Sequence, residues 1–126
     1  MALSAALRGR LRRIQLLLMD VDGVLTDGGM YYTESGDELK KFNTRDGHGI
    51  TLLHAAGMRT ALVTREQTAI VTRRAAKLGI SEVRQGALDK LPVVRGILEK
   101  HGITPDAACY IGDDLTDLPV IRHVGL

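Results

Sequence analysis

A short apolar run, Ile14-Gln-Leu-Leu-Leu-Met19, delivers the chain directly into Asp20-Val-Asp22-Gly-Val-Leu-Thr-Asp-Gly28. The run has the length and character of a buried strand, so both carboxylates are expected where that strand emerges into a loop. Open α/β sheets place ligands at the carboxyl ends of their strands. Residues two apart point the same way while a strand continues, and the loop can turn Asp22 toward the same pocket. Two clustered carboxylates with no basic residue beside them in the sequence repel each other and invite a divalent cation. Taken alone, Asp-x-Asp-Gly is also the composition of an ordinary turn. The rest of the chain decides between the two readings.

The pattern beyond this loop alternates. Gly29 to Asn43 holds two β-like runs around Glu34-Ser-Gly-Asp37, which reads as a hairpin over 29–43. Asp46 to Ala56 reads as a helix with an apolar stripe of Ile50, Leu52, Leu53 and Ala56, stopped by Gly57. Strands follow at Arg59–Thr64, Glu82–Gln85 and Ala107–Ile111. Helices are expected at Glu66–Leu78, at Leu88–His101 with Pro92 in its first turn, and from Leu115 to His123. Strand and helix in alternation predict a doubly wound, three-layer α/β sandwich with a mostly parallel sheet, plus one small hairpin flap.

At 126 residues the chain is expected to form one domain over 1–126, with residues 1–13 as a lead-in helix. The basic N-terminus has the composition of a transit peptide, but it runs into the first strand with no spacer. A net charge of +2 argues against nucleic acid and suits a small anionic substrate. No apolar run approaches a membrane span, so no membrane partner is expected. One cysteine, Cys109, excludes an internal disulfide, reads as a core residue and fits a cytoplasmic protein.

Chemically apt groups fall just after four successive strands: Asp20 with Asp22, then Thr64, then Lys90, then Gly112-Asp113-Asp114-Leu-Thr-Asp117. In a parallel sheet these ends share one edge. Together they supply what phosphoryl transfer needs. One carboxylate can attack phosphorus, a second can serve as acid and then base, a hydroxyl and an ammonium can hold phosphate oxygens, and further carboxylates can hold Mg²⁺. Attack of a carboxylate on a near-dianionic ester is repelled, and the uncatalysed reaction is slow enough that enzymes accelerate it by up to about 10²¹-fold. No single lysine supplies that; a metal, a cation and positioned N–H groups acting together are required.

This set resembles the haloacid dehalogenase superfamily of phosphatases: Asp20 to Gly28 is similar to its first motif, Thr64 to its second, Lys90 to its third and Gly112 to Asp117 to its fourth. The resemblance implies Asp20 as nucleophile and Asp22 as general acid and base, with Thr64 and Lys90 completing the catalytic set. It also implies Mg²⁺ held by Asp20, the Asp22 carbonyl and Asp113, with Asp114 and Asp117 nearby or acting through water. A longer match covers nearly the whole chain. Asp27-Gly-Gly-Met-Tyr-Tyr32, Lys41-Phe-Asn-Thr-Arg-Asp-Gly-His-Gly-Ile50, Gln85-Gly-Ala-Leu-Asp-Lys90 and Tyr110-Ile-Gly-Asp-Asp-Leu-Thr-Asp117 resemble the 3-deoxy-D-manno-octulosonate 8-phosphate phosphatases. Those are similar in turn to nine-carbon keto-deoxy acid 9-phosphate phosphatases and to phosphatase-like domains joined to acylneuraminate cytidylyltransferases. The resemblance implies a capless fold and a homotetramer in which the hairpin and a neighbouring subunit close the site. It further implies a phosphorylated keto-deoxy sugar acid as substrate. Candidate substrate contacts are Gly23, Arg45, Arg65, Glu66, Arg74 and Lys77.

Some residues depart from the pattern. The second motif usually reads Thr-Gly, whereas here it is Thr64-Arg65-Glu66. Glu66 stands where the octulosonate branch usually carries Arg and is more like the nine-carbon branch, as is Phe42-Asn-Thr44. Arg45-Asp-Gly47 is more like the octulosonate branch. Members of the family continue past the position where this sequence stops, at Val124-Gly-Leu126, so a fragment or trimmed form is expected. Two other classes compete. A receiver-type signalling domain also gathers carboxylates, Thr and Lys, but places its acceptor Asp after the acidic pair. A non-catalytic assembly domain is expected to lose its motif carboxylates, and Asp20, Asp22 and Asp113 are all present.

Overall fold

Four strands form one parallel sheet in the order β5-β4-β1-β6, where β1 is Leu16–Met19, β4 Arg59–Val63, β5 Glu82–Arg84 and β6 Ala108–Ile111. The computed structural model describes residues 2–126. The register is Leu16 beside Arg59 and Ala108, through to Met19 beside Leu62 and Ile111. From β1 the chain winds to β4 and β5 on one side, then returns to place β6 on the other side of β1. The topology therefore reverses beside β1, where such sheets form a crevice at their strand ends.

Both faces of the sheet are covered, which is why its strands read as continuous apolar runs. Leu16, Leu18, Ala61, Val63 and Ala108 pack against Val94, Ile97 and Leu98 of α4 (Lys90–His101) and Val120 of α5 (Leu118–Ile121). Met19 and Leu62 point the other way, onto Ile50 of α2 (Thr44–Ala55) and Val71 and Ala75 of α3 (Ala69–Leu78). Each fully buried Leu, Ile or Val contributes about 1.5–3 kcal/mol relative to exposure. The N-terminal helix α1 (Ala5–Arg13) is capped by Ser4 and buries no residue. The Arg10 Nε donates to the Gly125 carbonyl at 2.8 Å, tying this helix to the far end of the described chain. Among the described residues no helix is long and apolar enough to cross a membrane.

The hairpin is β2 (Tyr31–Tyr32) paired antiparallel with β3 (Glu38–Leu39), turning through Gly36 at φ +91°. An isolated bridge between Thr26 and Phe42 closes its base. Met30, Tyr31, Tyr32 and Leu39 stand exposed on it.

Some elements begin or end differently from expectation. α3 starts at Ala69 rather than Glu66, because Thr68 takes the N-cap: its Oγ1 accepts from Ile70 N at 3.2 Å, and its own N–H donates to Gln85 Oε1 at 2.8 Å. Arg65 and Glu66 thereby stay in a loop. The last helix is divided into a 3-10 turn, Leu115–Asp117, and the short α5, because Asp114 and Asp117 form a capping box there. The stripe on α2 is narrower than predicted. Ile50 is buried, whereas Leu52 and Ala56 face solvent. Cys109 is half-buried on β6, and burial pushes its thiol above the ordinary range, so it remains a packing residue.

Candidate active site

Asp20 leaves β1 with its N–H still donating to the Ile111 carbonyl at 2.9 Å, so its backbone is held by the sheet. Its side chain is 7% exposed. Oδ1 accepts from the Val21 N–H at 2.7 Å, and Oδ2 lies 2.9 Å from Lys90 Nζ. Burial drives its pKa upward, and the bonds from Lys90 and Val21 only partly offset this. A buried anion whose charge is incompletely compensated is a group waiting for a further cation.

Lys90 opens α4 beside the Asp89 N-cap and is 2% exposed. A lone buried ammonium costs several kcal/mol, so it is found where carboxylates surround it. Here Nζ sits between Asp20 and Asp117, 2.6 Å from Asp117 Oδ1. Asp117 has no exposed surface. Its Oδ1 also accepts from the Tyr110 hydroxyl at 2.6 Å, and its Oδ2 accepts from the N–H groups of Asp113 and Asp114, each at 3.0 Å. Burial opposes its charge, but these four donors outweigh burial and hold its pKa below the ordinary value. The Tyr110 hydroxyl is correspondingly held neutral, by burial first and then by Asp117. Asp117 is thus a brace: it folds the loop after β6 back on itself and fixes where Asp113 points.

Asp113 is exposed and lies directly over Gly23. Gly23 has φ +85°, and a Cβ there would sit 1.8 Å from Asp113 Oδ2. The glycine of the Asp-x-Asp-Gly loop therefore makes room for the carboxylate of the last loop. One oxygen from each of Asp20, Asp113 and Asp117 lies within 4.8 Å of the other two. Asp117 is saturated by protein donors, leaving Asp20 and Asp113 to face an ion. The Asp22 carbonyl receives no backbone hydrogen bond among the described residues and is a further uncommitted oxygen in the same loop. All three are hard oxygen donors, which fit Mg²⁺.

Asp20, Asp22, Thr64, Arg65, Glu66, Lys90, Asp113 and Asp114 all line one open cleft of about 570 Å³, with Met30, Leu88 and Thr116. Thr64 is 1% exposed and is anchored through its N–H to the Arg84 carbonyl at 2.9 Å. Among the described residues, Arg65 forms no ion pair. Asp114 spends its side chain on the Leu115 N–H at 2.6 Å.

Other expected residues are placed elsewhere. The Gly23 N–H donates to Thr26 Oγ1 at 3.2 Å, so it is not offered to a ligand. Arg74 donates to the Asn43 carbonyl at 3.1 Å and stacks 5.3 Å over the Phe42 ring, pinning the hairpin base to α3. Arg45 and Lys77 are exposed and outside the cleft lining. The view that the two leading carboxylates lack basic neighbours also changes in three dimensions. Lys90 reaches Asp20, and Lys40 reaches Asp22 Oδ1 at 2.6 Å with a side chain only 4% exposed.

Sequence reasoning missed Lys40 and Tyr110, which bond the carboxylates of Asp22 and Asp117. Lys40 belongs to a Lys-Lys pair at the end of a two-residue strand, where alternation is too short to say which lysine turns inward. Tyr110 did carry a signal: a hydroxyl inside a buried strand requires a partner, and the nearest acceptors are in the acidic loop that follows.

No protein-family model matches the chain. It is 43% identical over 123 residues to the 3-deoxy-D-manno-octulosonate 8-phosphate phosphatase of Escherichia coli strain K12, covering 98% of this chain and 65% of that relative's length. The structure of the phosphatase of the same name from Moraxella catarrhalis, in complex with magnesium ion, phosphate ion and KDO, matches with a TM-score of 0.93. The two are 42% identical, over 95% of this chain and 69% of that one. The Yersinia pestis phosphatase structure matches with a TM-score of 0.95 at 40% identity, over 98% of this chain and 67% of the other. The chain belongs to the 3-deoxy-D-manno-octulosonate 8-phosphate phosphatase family, within the haloacid dehalogenase superfamily.

Proposed function

We propose that this chain is a Mg²⁺-dependent phosphomonoesterase acting on 3-deoxy-D-manno-octulosonate 8-phosphate. The observation that carries the reading is the meeting of Asp20, Asp22, Thr64, Lys90 and Asp113 at one cleft, on the edge where the sheet topology reverses. The family relation supports the choice of sugar phosphate.

An Asp20 carboxylate oxygen attacks phosphorus, and the bond from phosphorus to the sugar oxygen breaks. Asp22 gives its proton to that departing oxygen. The aspartyl phosphate is then hydrolysed by a water whose proton Asp22 takes, which returns both residues to their starting forms. The Thr64 hydroxyl and the Lys90 ammonium hold phosphate oxygens, and Lys90 also steadies the nucleophile through its 2.9 Å contact. Asp20, Asp113 and the Asp22 carbonyl would hold Mg²⁺, which offsets repulsion between the anionic nucleophile and the anionic ester. Asp114 and Asp117 act behind these ligands by shaping the loop that presents Asp113.

Arg65 is the cleft cation with no carboxylate partner among the described residues, and we assign it to an anionic group of the substrate. Glu66 accepts from sugar hydroxyls. It also favours a second reading, a nine-carbon keto-deoxy acid 9-phosphate, because it lines the cleft where the octulosonate branch usually carries a cation. Arg45 and Lys77 lie outside the cleft lining and Arg74 is engaged by Asn43 and Phe42, so this reading gives none of the three a substrate contact. The exposed Met30, Tyr31, Tyr32 and Leu39 of the hairpin support closure of the site by a neighbouring subunit in a homotetramer. The single cysteine supports a reducing, cytoplasmic setting.

Phosphate release tests the reading. The assay uses octulosonate 8-phosphate, nonulosonate 9-phosphates and p-nitrophenyl phosphate, each with Mg²⁺ and with chelator. Mg²⁺-dependent release that favours the eight-carbon ester and disappears in Asp20→Asn is expected. Release by Asp20→Asn equal to the native chain overturns the nucleophile. A phosphoaspartate lasting minutes overturns the hydrolase in favour of a signalling domain.

A further inference from the structure

The hairpin meets the cleft twice: Met30 lines it, and Lys40 bonds one of the carboxylates that line it. Lys40, directly after β3, extends inward and places Nζ 2.6 Å from Asp22 Oδ1. Its side chain is 4% exposed, and that of Asp22 is 24% exposed. The two cleft carboxylates are held very differently. Asp20 is fixed by the Val21 N–H and by Lys90. Among the described residues the Asp22 carboxylate has no hydrogen-bond donor other than Lys40. Without it, the carboxylate is free to rotate at the cleft wall. Lys40 in turn has no second carboxylate within ion-pair distance among the described residues. An ammonium buried to this degree is costly, and an aliphatic side chain of similar length would satisfy the packing. The contact also takes only Oδ1, so Oδ2 keeps no protein partner and remains available at the cleft.

We infer that Lys40 is a positioning residue that orients the Asp22 carboxylate for proton transfer to and from the substrate oxygen. The inference rests on the phosphatase reading above. Lys40 keeps its own three protons throughout; it sets the rotamer of Asp22 and leaves the exchange to Asp22 Oδ2. Since Lys40 arrives from the hairpin, seating the hairpin and poising the acid–base group are one event. A misplaced catalytic group of this kind costs on the order of 100-fold in rate.

The test compares two esters by kcat/KM, which reports events only through leaving-group departure. Octulosonate 8-phosphate releases an alkoxide that must be protonated, whereas p-nitrophenyl phosphate releases a stable phenolate that need not be. Lys40→Met is expected to lower kcat/KM for the sugar ester roughly 100-fold, as loss of a well-placed general acid does. It should lower kcat/KM for the aryl ester by less than about tenfold and leave KM little changed. Lys40→Arg should restore most of the loss. In a D22N background, adding K40M should cost nothing further, because both changes remove one device. Equal losses on the two esters, or a K40M loss that multiplies with that of D22N, overturn the inference while the phosphatase reading stands. If the native chain hydrolyses neither ester, the phosphatase reading fails and takes the inference with it. Thermal melts of Lys40→Met and Lys40→Arg, measured alongside, separate unfolding from misplacement.

Discussion

Asp113 and Gly23 occupy each other's space: the carboxylate of one lies where the other would carry a Cβ, at 1.8 Å from Oδ2. Two loops separated by 90 positions are thereby locked into one surface. Gly23→Ala must displace Asp113 and also hold an L-residue at φ +85°, which alone costs about 1–2 kcal/mol. The variant is expected to melt lower and to need a higher Mg²⁺ concentration for half-maximal phosphate release. A Mg²⁺ titration unchanged from the native chain would show that Asp113 does not face the ion.

Lys90 stabilises two buried carboxylates at once, at 2.9 Å from Asp20 and 2.6 Å from Asp117. Lys90→Met leaves both without their cation, and breaking a buried pair by removing one partner costs about 3–5 kcal/mol. Urea unfolding should record that loss. The double variant K90M/D117N should recover part of it, since one stranded charge is gone, while phosphate release stays negligible in both.

The chain's layout was legible where burial was two-sided. The runs at β1, β4 and β6 announced a covered parallel sheet, and the groups just after them announced the cleft edge. Legibility failed where tertiary partners decide. Leu52 belongs to the apolar rhythm of α2 yet faces solvent, because the buried side of that helix is the one that carries Gly47, against Arg74 and Leu78 of α3, and Ile50, in the core. Glu66 to Thr68 has helical composition, but Gln85, directly after the neighbouring strand β5, captures the Thr68 N–H and delays the helix. Asp117 looked like one more acid near a metal. Its saturation by Lys90, Tyr110 and two N–H groups depends on a fold-back that spacing alone does not encode.

Tyr110 tests the brace directly. Tyr110→Phe removes a single donor from Asp117 and leaves the ring packed, and a hydrogen bond to a charged acceptor is worth about 1.5–3 kcal/mol. Three donors remain, so the chain should fold with a lower urea midpoint, and kcat should fall only a few-fold through loosening of the Asp113 loop. A loss as deep as that of Asp20→Asn would mean that the hydroxyl takes part in the chemistry itself.

At the opposite end of the sheet, Glu82 is 4% exposed and accepts at Oε2 from Lys100 at 2.9 Å and from His101 at 2.8 Å, with Arg84 against its other oxygen. Burial raises its pKa, but these bonds and cations prevail, and the value falls below the ordinary 4.5. A carboxylate depressed in the folded state contributes stability that is fully present above its unfolded pKa and is lost as pH falls through its folded one. Glu82→Gln should therefore lower stability by about 1–2 kcal/mol at pH 7, and the gap to the native chain should close as pH drops below about 4.5. Urea midpoints measured from pH 7 down to pH 3 test this. Phosphate release at pH 7 should be unaffected, because Glu82 lies outside the cleft. A gap that persists undiminished at pH 3 would mean that the glutamate stabilises the edge of β5 by packing, not by charge.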